Sequence, residues 1–314
     1  MTPVIVVGNG HWGQNLVRNF ESLGSLAGVV EIDPVLRDRV RSNHPQVTVY
    51  ESLEPALATD AAAIVLATPA PSHFDLAMTA LRTGKDVFVE KPMTLKASEA
   101  RQLAEYADAH NRVLMVGHLL LYQPAIAWLR NYLRSGQAGV IQHVATQRLN
   151  LGKVRTTENV WWSLAPHDIA IVLDLLGHPE LASVQAVGHA RLQAGIADEV
   201  QADLAFTSGQ TAHLHCSWQW PLKQRGTVVI GDRQMLVYDE IQQSVTVYDK
   251  RIDGQLNAVD EGAKVIDIAD AQPLRLECQH FLDCLAARQR PHSDGWNGVA
   301  VVNILEQVEA VLHG

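Results

Sequence analysis

The chain has 314 residues, 47% of them hydrophobic and 19% charged, with 25 Lys and Arg against 34 Asp and Glu for a net charge of −9. That length suits about two domains, each large enough to bury its own core. A scattered basic complement in an acidic chain excludes the concentrated positive field that a nucleic acid or an anionic membrane demands, so neither is expected as a partner.

The opening MTPVIVVGNG carries no basic n-region and no small-residue cleavage site, and no apolar run approaches the length of a membrane span. A cytoplasmic protein is expected. Short apolar runs at 4–8, 26–33, 62–68, 86–90 and 113–118 alternate with helix-like segments. Such β-α alternation with unbroken apolar strands predicts a parallel sheet covered on both faces, over residues 1–119. A helix near 121–135 follows, and then strands at 140–151, 182–193, 199–207, 211–220, 226–231, 234–239 and 243–249, separated by turns such as TSGQ and GDRQ. This second texture predicts an α+β domain over 120–314 with a large, mostly antiparallel open sheet. Along 213–220, Leu214, Cys216, Trp218 and Trp220 alternate with His213, His215, Ser217 and Gln219, giving one dry face and one polar face. A last helix at 297–314 has the spacing to pack back on the body.

Cys216, Cys278 and Cys284 have no metal-like pairing, so buried free thiols in a reducing compartment are expected. His213 and His215 lack a third ligand at suitable spacing, and the expectation is a solvated or interface face with no metal.

The first strand runs directly into GNGHWG, which sets Gly8, Gly10 and Gly13 in a G-x-G-x-x-G at the start of a helix. Gly8 suits the tight turn, Gly10 a close approach to a pyrophosphate and Gly13 close helix packing, while the helix N-terminus offers N–H donors. Asn9, His11 and Trp12 share that loop. The second strand ends in VVEID, and a carboxylate there would accept from the adenosine ribose hydroxyls and repel a 2′-phosphate, which favours NAD over NADP. Glu31 is the first choice for that role and Asp33 the second. An N-terminal Rossmann domain binding NAD is the resulting expectation.

Ligands in open α/β sheets sit beyond the C-terminal ends of the strands. Those ends supply Thr68, Pro69 and His73 from ATPAPSHFD, Glu90, Lys91 and Pro92 from VFVEKPM, and Gly117 and His118 from VGH. In this order and spacing, GNGHWG, ATPAPSH, EKPMT and GHLLLY, with the later APHDI, resemble the Gfo/Idh/MocA family of sugar and polyol oxidoreductases over the whole chain. The resemblance implies that Lys91 lies beside the nicotinamide and the substrate hydroxyl, that Pro92 follows a cis peptide, and that His167 accepts the hydroxyl proton. Many members carry an aspartate four residues before that histidine; here the position is Ser163, and Asp168 is the adjacent alternative. Taken alone, Pro166-His167 reads as a helix N-terminus. The chemistry agrees with the resemblance: oxidising a secondary alcohol needs a base for the proton and a cation near the oxygen. Glu90 is expected to hold Lys91 charged and oriented.

The stretch QRLNLGKVRTTENVWWSLAPHD contains Arg148, Asn150, Lys153, Arg155, Asn159, Trp161 and Trp162, a mixture able to clamp a diphosphate and stack on a base. A polar loop over the sheet with one Trp in the core is the alternative. Within the family this stretch is most similar to the nucleotide-sugar 3-dehydrogenase branch. That implies NAD-dependent oxidation of the 3-hydroxyl of a UDP-activated amino sugar such as UDP-N-acetylglucosamine, whose 3-keto product an aminotransferase converts to a 3-amino sugar for lipid A or other envelope glycans. Lys91, His118, Tyr122, Asn150, Arg155, Asn159, Trp162, His167 and Asp168 are the expected substrate-side residues. The family resemblance implies association through this sheet, and the one-sided polarity of 213–220 fits a homodimer or homotetramer. Two alternatives stay open: oxidation of UDP-N-acetylglucosaminuronate or a free polyol, and a non-catalytic NAD or sugar sensor.

Overall fold

The computed structural model describes residues 2–313. Two compact units emerge, one comprising the chain up to Leu119 with Gln272–Asn303, the other Leu120–Ala271 with the chain from Ile304.

In the first unit, β1 (Val4–Val7), α1 (Gly13–Ser22), β2 (Leu26–Val30), α2 (Pro34–Asn43), β3 (Thr48–Tyr50), α3 (Leu53–Leu57), β4 (Ala63–Leu66), α4 (His73–Arg82), β5 (Asp86–Glu90), α5 (Ala97–Ala109) and β6 (Leu114–Gly117) alternate along the chain. The six strands form one parallel sheet in the order β3-β2-β1-β4-β5-β6. Every residue of β1, β4, β5 and β6 is buried, as strands covered on both faces must be. The order reverses direction between β1 and β4, which opens a crevice at the strand ends carrying the glycine loop. The short β3 was not foreseen; its three edge residues are exposed or half-buried and leave no apolar run to read.

The second unit begins with α6 (Pro124–Arg134), β7 (Ile141–Leu151), α7 (Val160–Leu176), β8 (Leu181–His189), β9 (Glu199–Phe206), β10 (Thr211–Ser217), β11 (Gln219–Gly231), β12 (Met235–Asp239), β13 (Ser244–Ile252) and β14 (Ala258–Ile266). Its eight strands run β14-β13-β12-β11-β7-β10-β9-β8, all pairs antiparallel except β7 with β10. Helix α7 packs on β7, β9 and β10. The edge strand β14, charged and mostly exposed, lay outside the expected strands. The dry face holds through Leu214, Cys216 and Trp218, all buried, but the polar face ends at His215, because Ser217 is fully buried as well. The chain leaves β10 after Ser217, and Trp220 lands half-buried in β11 with its ring edge-on to His215 at 5.5 Å.

Helices α8 (Pro273–Ala287) and α9 (Gly295–His313) complete the chain. The expectation that 120–314 form one domain is corrected here, because α8 and the first half of α9 belong to the first unit. The cause is the apolar stripe of α8. Phe281 is fully buried and meets Phe88 of β5 at 5.6 Å and Phe20 of α1 at 6.5 Å, both edge-on. A buried aromatic of this kind contributes about 1.5–3 kcal/mol of transfer free energy. Ser293 adds a hydrogen bond of 2.7 Å to the Val116 carbonyl of β6. The expected terminal helix begins two residues earlier than its spacing suggested and reaches His313; residue 314 lies outside the described residues.

Candidate active site

The glycine loop assigns a separate task to each glycine. Gly8 has φ +92°, and a Cβ there would sit 3.0 Å from the Ala67 carbonyl oxygen. At Gly13 a Cβ would fall 2.0 Å from the Gly8 carbonyl oxygen, so α1 can start this close to β1 only without a side chain. Around Gly10 nothing lies within 4 Å, which leaves that backbone open to an incoming group. No side chain caps α1, and backbone bonds close its first turn, Gln14 N–H to the Gly10 carbonyl at 3.2 Å and Asn15 N–H to the Trp12 carbonyl at 2.8 Å, so the helix offers a phosphate chiefly the positive end of its dipole.

The loop borders a cleft of about 680 Å³ with Glu31 and Thr68 on its rim and Leu36, Leu53 and Leu76 in its apolar wall. Buried Glu31 accepts from the Asn9 N–H at 2.6 Å and the Asp33 N–H at 2.9 Å, which pins the carboxylate between loop and strand end. Asp33, exposed, caps α2: its Oδ1 accepts from Val35 N–H at 2.8 Å and Leu36 N–H at 3.1 Å, ahead of Pro34. His11 is exposed beside the cleft, and Thr68 and Pro69 line it. An adenosine and its phosphates fit this donor set: apolar wall, open glycine, helix N-terminus, and a fixed carboxylate.

His73 is corrected. Its ring is 1% exposed and lies within hydrogen-bond distance of two carbonyl oxygens, Pro92 at 2.9 Å from Nδ1 and Thr68 at 2.8 Å from Nε2. It therefore ties the loops after β4 and β5 together from behind. Burial pulls its pKa below the ordinary value against those two bonds.

At the end of β5 the Lys91–Pro92 peptide is cis and Lys91 is half-buried. Glu90 is buried and accepts from Trp12 Nε1 at 2.5 Å and the Lys91 N–H at 3.3 Å. The glycine loop is thereby fastened to the Lys91 segment. Burial lifts the Glu90 pKa to about 7, against the pull of Trp12 and Lys91. Gly117, paired with Glu90 across β6, makes room for that carboxyl, since a Cβ at 117 would stand 3.0 Å from it. His118 is 1% exposed and has no hydrogen-bond partner at either ring nitrogen among the described residues. Burial, aided by the Lys91 cation, drives its pKa down to about 3, so it stands as a neutral imidazole.

In the second unit, His167 is half-buried about two turns into α7. The helix does not begin at Pro166: Asn159 caps it, accepting from the Trp162 N–H at 3.1 Å. Asn159 also donates to both Glu309 oxygens at 2.8 and 3.0 Å, so its amide belongs to the fold and not to a substrate. Helical spacing puts Ser163 one turn before His167 on the same face.

Asp168 and Arg148 need the same correction. Both are buried, joined by two charge-assisted bonds of 2.8 and 2.9 Å, and Arg148 also reaches Glu240 at 3.0 Å. Burial alone would lower the Arg148 pKa, but Asp168 and Glu240 hold it far above the usual value. Trp161 is a fully buried core residue whose Nε1 donates to the Leu305 carbonyl at 3.3 Å. Tyr122, Asn150 and Trp162 are half-buried and Lys153 and Arg155 exposed; Arg155 lies 3.8 Å from Glu158. Sequence reasoning missed Glu240 and Arg225, which stand 3.3 Å apart and close this cluster.

His213 pairs with Asp203 at 2.8 Å and His215 with Glu199 at 3.0 Å. Among the described residues no group of three or more His, Cys, Asp or Glu could hold a metal, and no helix is long and apolar enough to cross a membrane. The three cysteines are free and buried.

Residues 3–118 match the oxidoreductase family with an NAD-binding Rossmann fold, and residues 126–237 match the GFO/IDH/MocA C-terminal domain. The chain belongs to the Gfo/Idh/MocA oxidoreductase family. It is an NAD-binding oxidoreductase, with the glycine loop, Glu31 and the apolar cleft fitting that cofactor. Among relatives in the family, UDP-N-acetylglucosamine 3-dehydrogenase of Acidithiobacillus ferrooxidans is 27% identical over 98% of this chain and 96% of its own. A solved structure of that enzyme superposes with a TM-score of 0.87, covering 99% of this chain and 97% of the other. Inositol 2-dehydrogenase of Burkholderia cenocepacia is 30% identical over 58% of this chain and 56% of its own. The structure of GenD2 from gentamicin A biosynthesis in complex with NAD shares the fold, with a TM-score of 0.84 at 23% identity over 99% of this chain and 94% of that one.

Proposed function

We propose that this chain uses NAD to oxidise the 3-hydroxyl of a UDP-activated amino sugar, UDP-N-acetylglucosamine, to the 3-keto sugar nucleotide. The observation that carries this reading is the extent of the likeness. The UDP-N-acetylglucosamine 3-dehydrogenase relative matches 98% of the chain, through both units, whereas the inositol enzyme matches 58%. Bound NAD supplies the hydride acceptor. Lys91 sets a cation against the negative charge that builds on the substrate oxygen, and His167 takes the hydroxyl proton. The half-buried Tyr122, Asn150 and Trp162, with Lys153 and Arg155 at the surface, are the remaining candidates for holding the sugar nucleotide. A 3-keto sugar nucleotide calls for an aminotransferase as its consumer, and the exposed sheet face suits association of identical copies.

The 30% identity to inositol 2-dehydrogenase supports a second reading, a free polyol substrate. NADH absorbance separates the two when the protein is mixed with NAD and either UDP-N-acetylglucosamine, UDP-N-acetylglucosaminuronate or myo-inositol. Turnover with the first is expected, raised by an aminotransferase that removes the ketone. Turnover with myo-inositol alone overturns the nucleotide-sugar reading. Binding of NAD and sugar nucleotide with no NADH formed under any condition points to a sensor.

A further inference from the structure

Glu277 on α8 is fully buried, and neither carboxyl oxygen meets a hydrogen-bond donor among the described residues. An ionised carboxylate is costly in such a place, so the group is held as the neutral acid. The register of the packed elements says what it faces. Glu277 lies one turn before Phe281, whose ring meets Phe88 of β5 at 5.6 Å. Phe88 is two residues before Glu90 on the same face of that strand, which brings the Glu90 and Glu277 carboxyl groups together. Glu277 senses the Glu90 charge: burial first, and then Glu90, push it well above the carboxylate range. Glu90, in contrast, has two donors, Trp12 Nε1 and the Lys91 N–H.

We propose that Glu277 and Glu90 form a carboxyl dyad with one negative charge, Glu277 being the protonated positioning residue and Glu90 the anion held at the glycine loop, where it favours the oxidised, cationic nicotinamide over the reduced, neutral one. This rests on the reading that the nicotinamide lies beside Lys91. The other titratable groups here are Lys91 itself, His73 from α4 and His118 after β6, both of which sense Lys91, and Cys278 on α8, which senses the dyad. Burial keeps both imidazoles and the thiol neutral. Lys91 and Glu90 therefore carry the charge at this end of the cleft.

The test is the ratio of NADH to NAD dissociation constants, read by protein fluorescence from about pH 6 to about pH 8. In the wild type, preference for NAD rises about tenfold as Glu90 ionises. Glu90→Gln is expected to weaken NAD and flatten the profile. Glu277→Gln, an isostere of the neutral acid, retains the rise, whereas Glu277→Leu moves its midpoint to higher pH by putting an apolar side chain beside Glu90 in place of a polar one. A flat wild-type profile, or Glu277→Gln behaving as Glu90→Gln, overturns the dyad. Lys91→Ala separates the two levels. A ratio shifted toward NAD in Lys91→Ala but unmoved in Glu90→Gln rejects the dyad and leaves the nicotinamide placement standing; a ratio unmoved in Lys91→Ala rejects the placement itself.

Discussion

Replacing Asp168 by Asn isolates the charge that α7 presents to Arg148 while keeping the side-chain shape. Both partners are nearly closed to solvent, with side-chain exposures of 4% and 2%, and their bidentate bonds measure 2.8 and 2.9 Å. Breaking a buried pair from one side costs about 3–5 kcal/mol, because the surviving charge stays buried. Arg148 still holds Glu240 at 3.0 Å, which places Asp168→Asn near the lower end, about 3 kcal/mol. At roughly 2–4 °C per kcal/mol for a unit of this size, thermal unfolding followed by circular dichroism should fall by roughly 6–12 °C. The double variant Asp168→Leu with Arg148→Met removes both charges and leaves Glu240 with Arg225, so much of the loss should return. An unfolding midpoint unchanged in Asp168→Asn, together with a raised KM for the sugar nucleotide, would refute this and return Asp168 to the substrate.

Two further perturbations bear on the first unit. Gly13→Ala drives a Cβ to 2.0 Å from the Gly8 carbonyl oxygen and should lower the urea midpoint, whereas Gly10→Ala meets nothing within 4 Å and should keep that midpoint while weakening NAD binding measured by calorimetry; equal stability losses would contradict the assigned tasks. His118 takes up a proton near 6.5 when unfolded but only near 3 when folded, so its contribution is present above 6.5 and is lost as pH falls between those values. At about pH 5 the loss is about 2 kcal/mol, and urea unfolding of His118→Leu should show that much less acid dependence than the wild type; parallel curves would place the imidazole in contact with water.

What could be read in the chain before folding, and what could not, follows from how far each interaction reaches. The glycine loop was legible because three backbone demands recur at fixed local spacing beside a strand end. The cap role of Asp33 was a local signal left unread: an Asp directly before a Pro at the start of a helix is a cap, as Asn159 before the first turn of α7 is. Arg148 and Asp168 were misread for the opposite reason. They are twenty residues apart, on a strand and on the helix packed against it, and nothing in either neighbourhood distinguishes a buried ion pair from two polar groups in a binding loop. The return of α8 to the first sheet was equally hidden, since its stripe shows that the helix packs but not on which sheet.

Glu277 falls between these cases. Within LRLECQHFLDCL the buried positions are Glu277, Cys278, Phe281, Leu282, Cys284 and Leu285, so an acid occupies the apolar stripe of an amphipathic helix. A conflict between residue and position is visible in the sequence and costs stability, which makes it a marker of function, though not of which function. The partner is supplied by the fold alone: Phe281 on Phe88 sets the register that brings Glu277 to Glu90, and Trp12 brings Glu90 to the glycine loop. The charge pair that interrupts the apolar strand β5 at Glu90-Lys91 is thus continued into α8, and a side chain remote from every sequence motif bears on the charge at the cofactor.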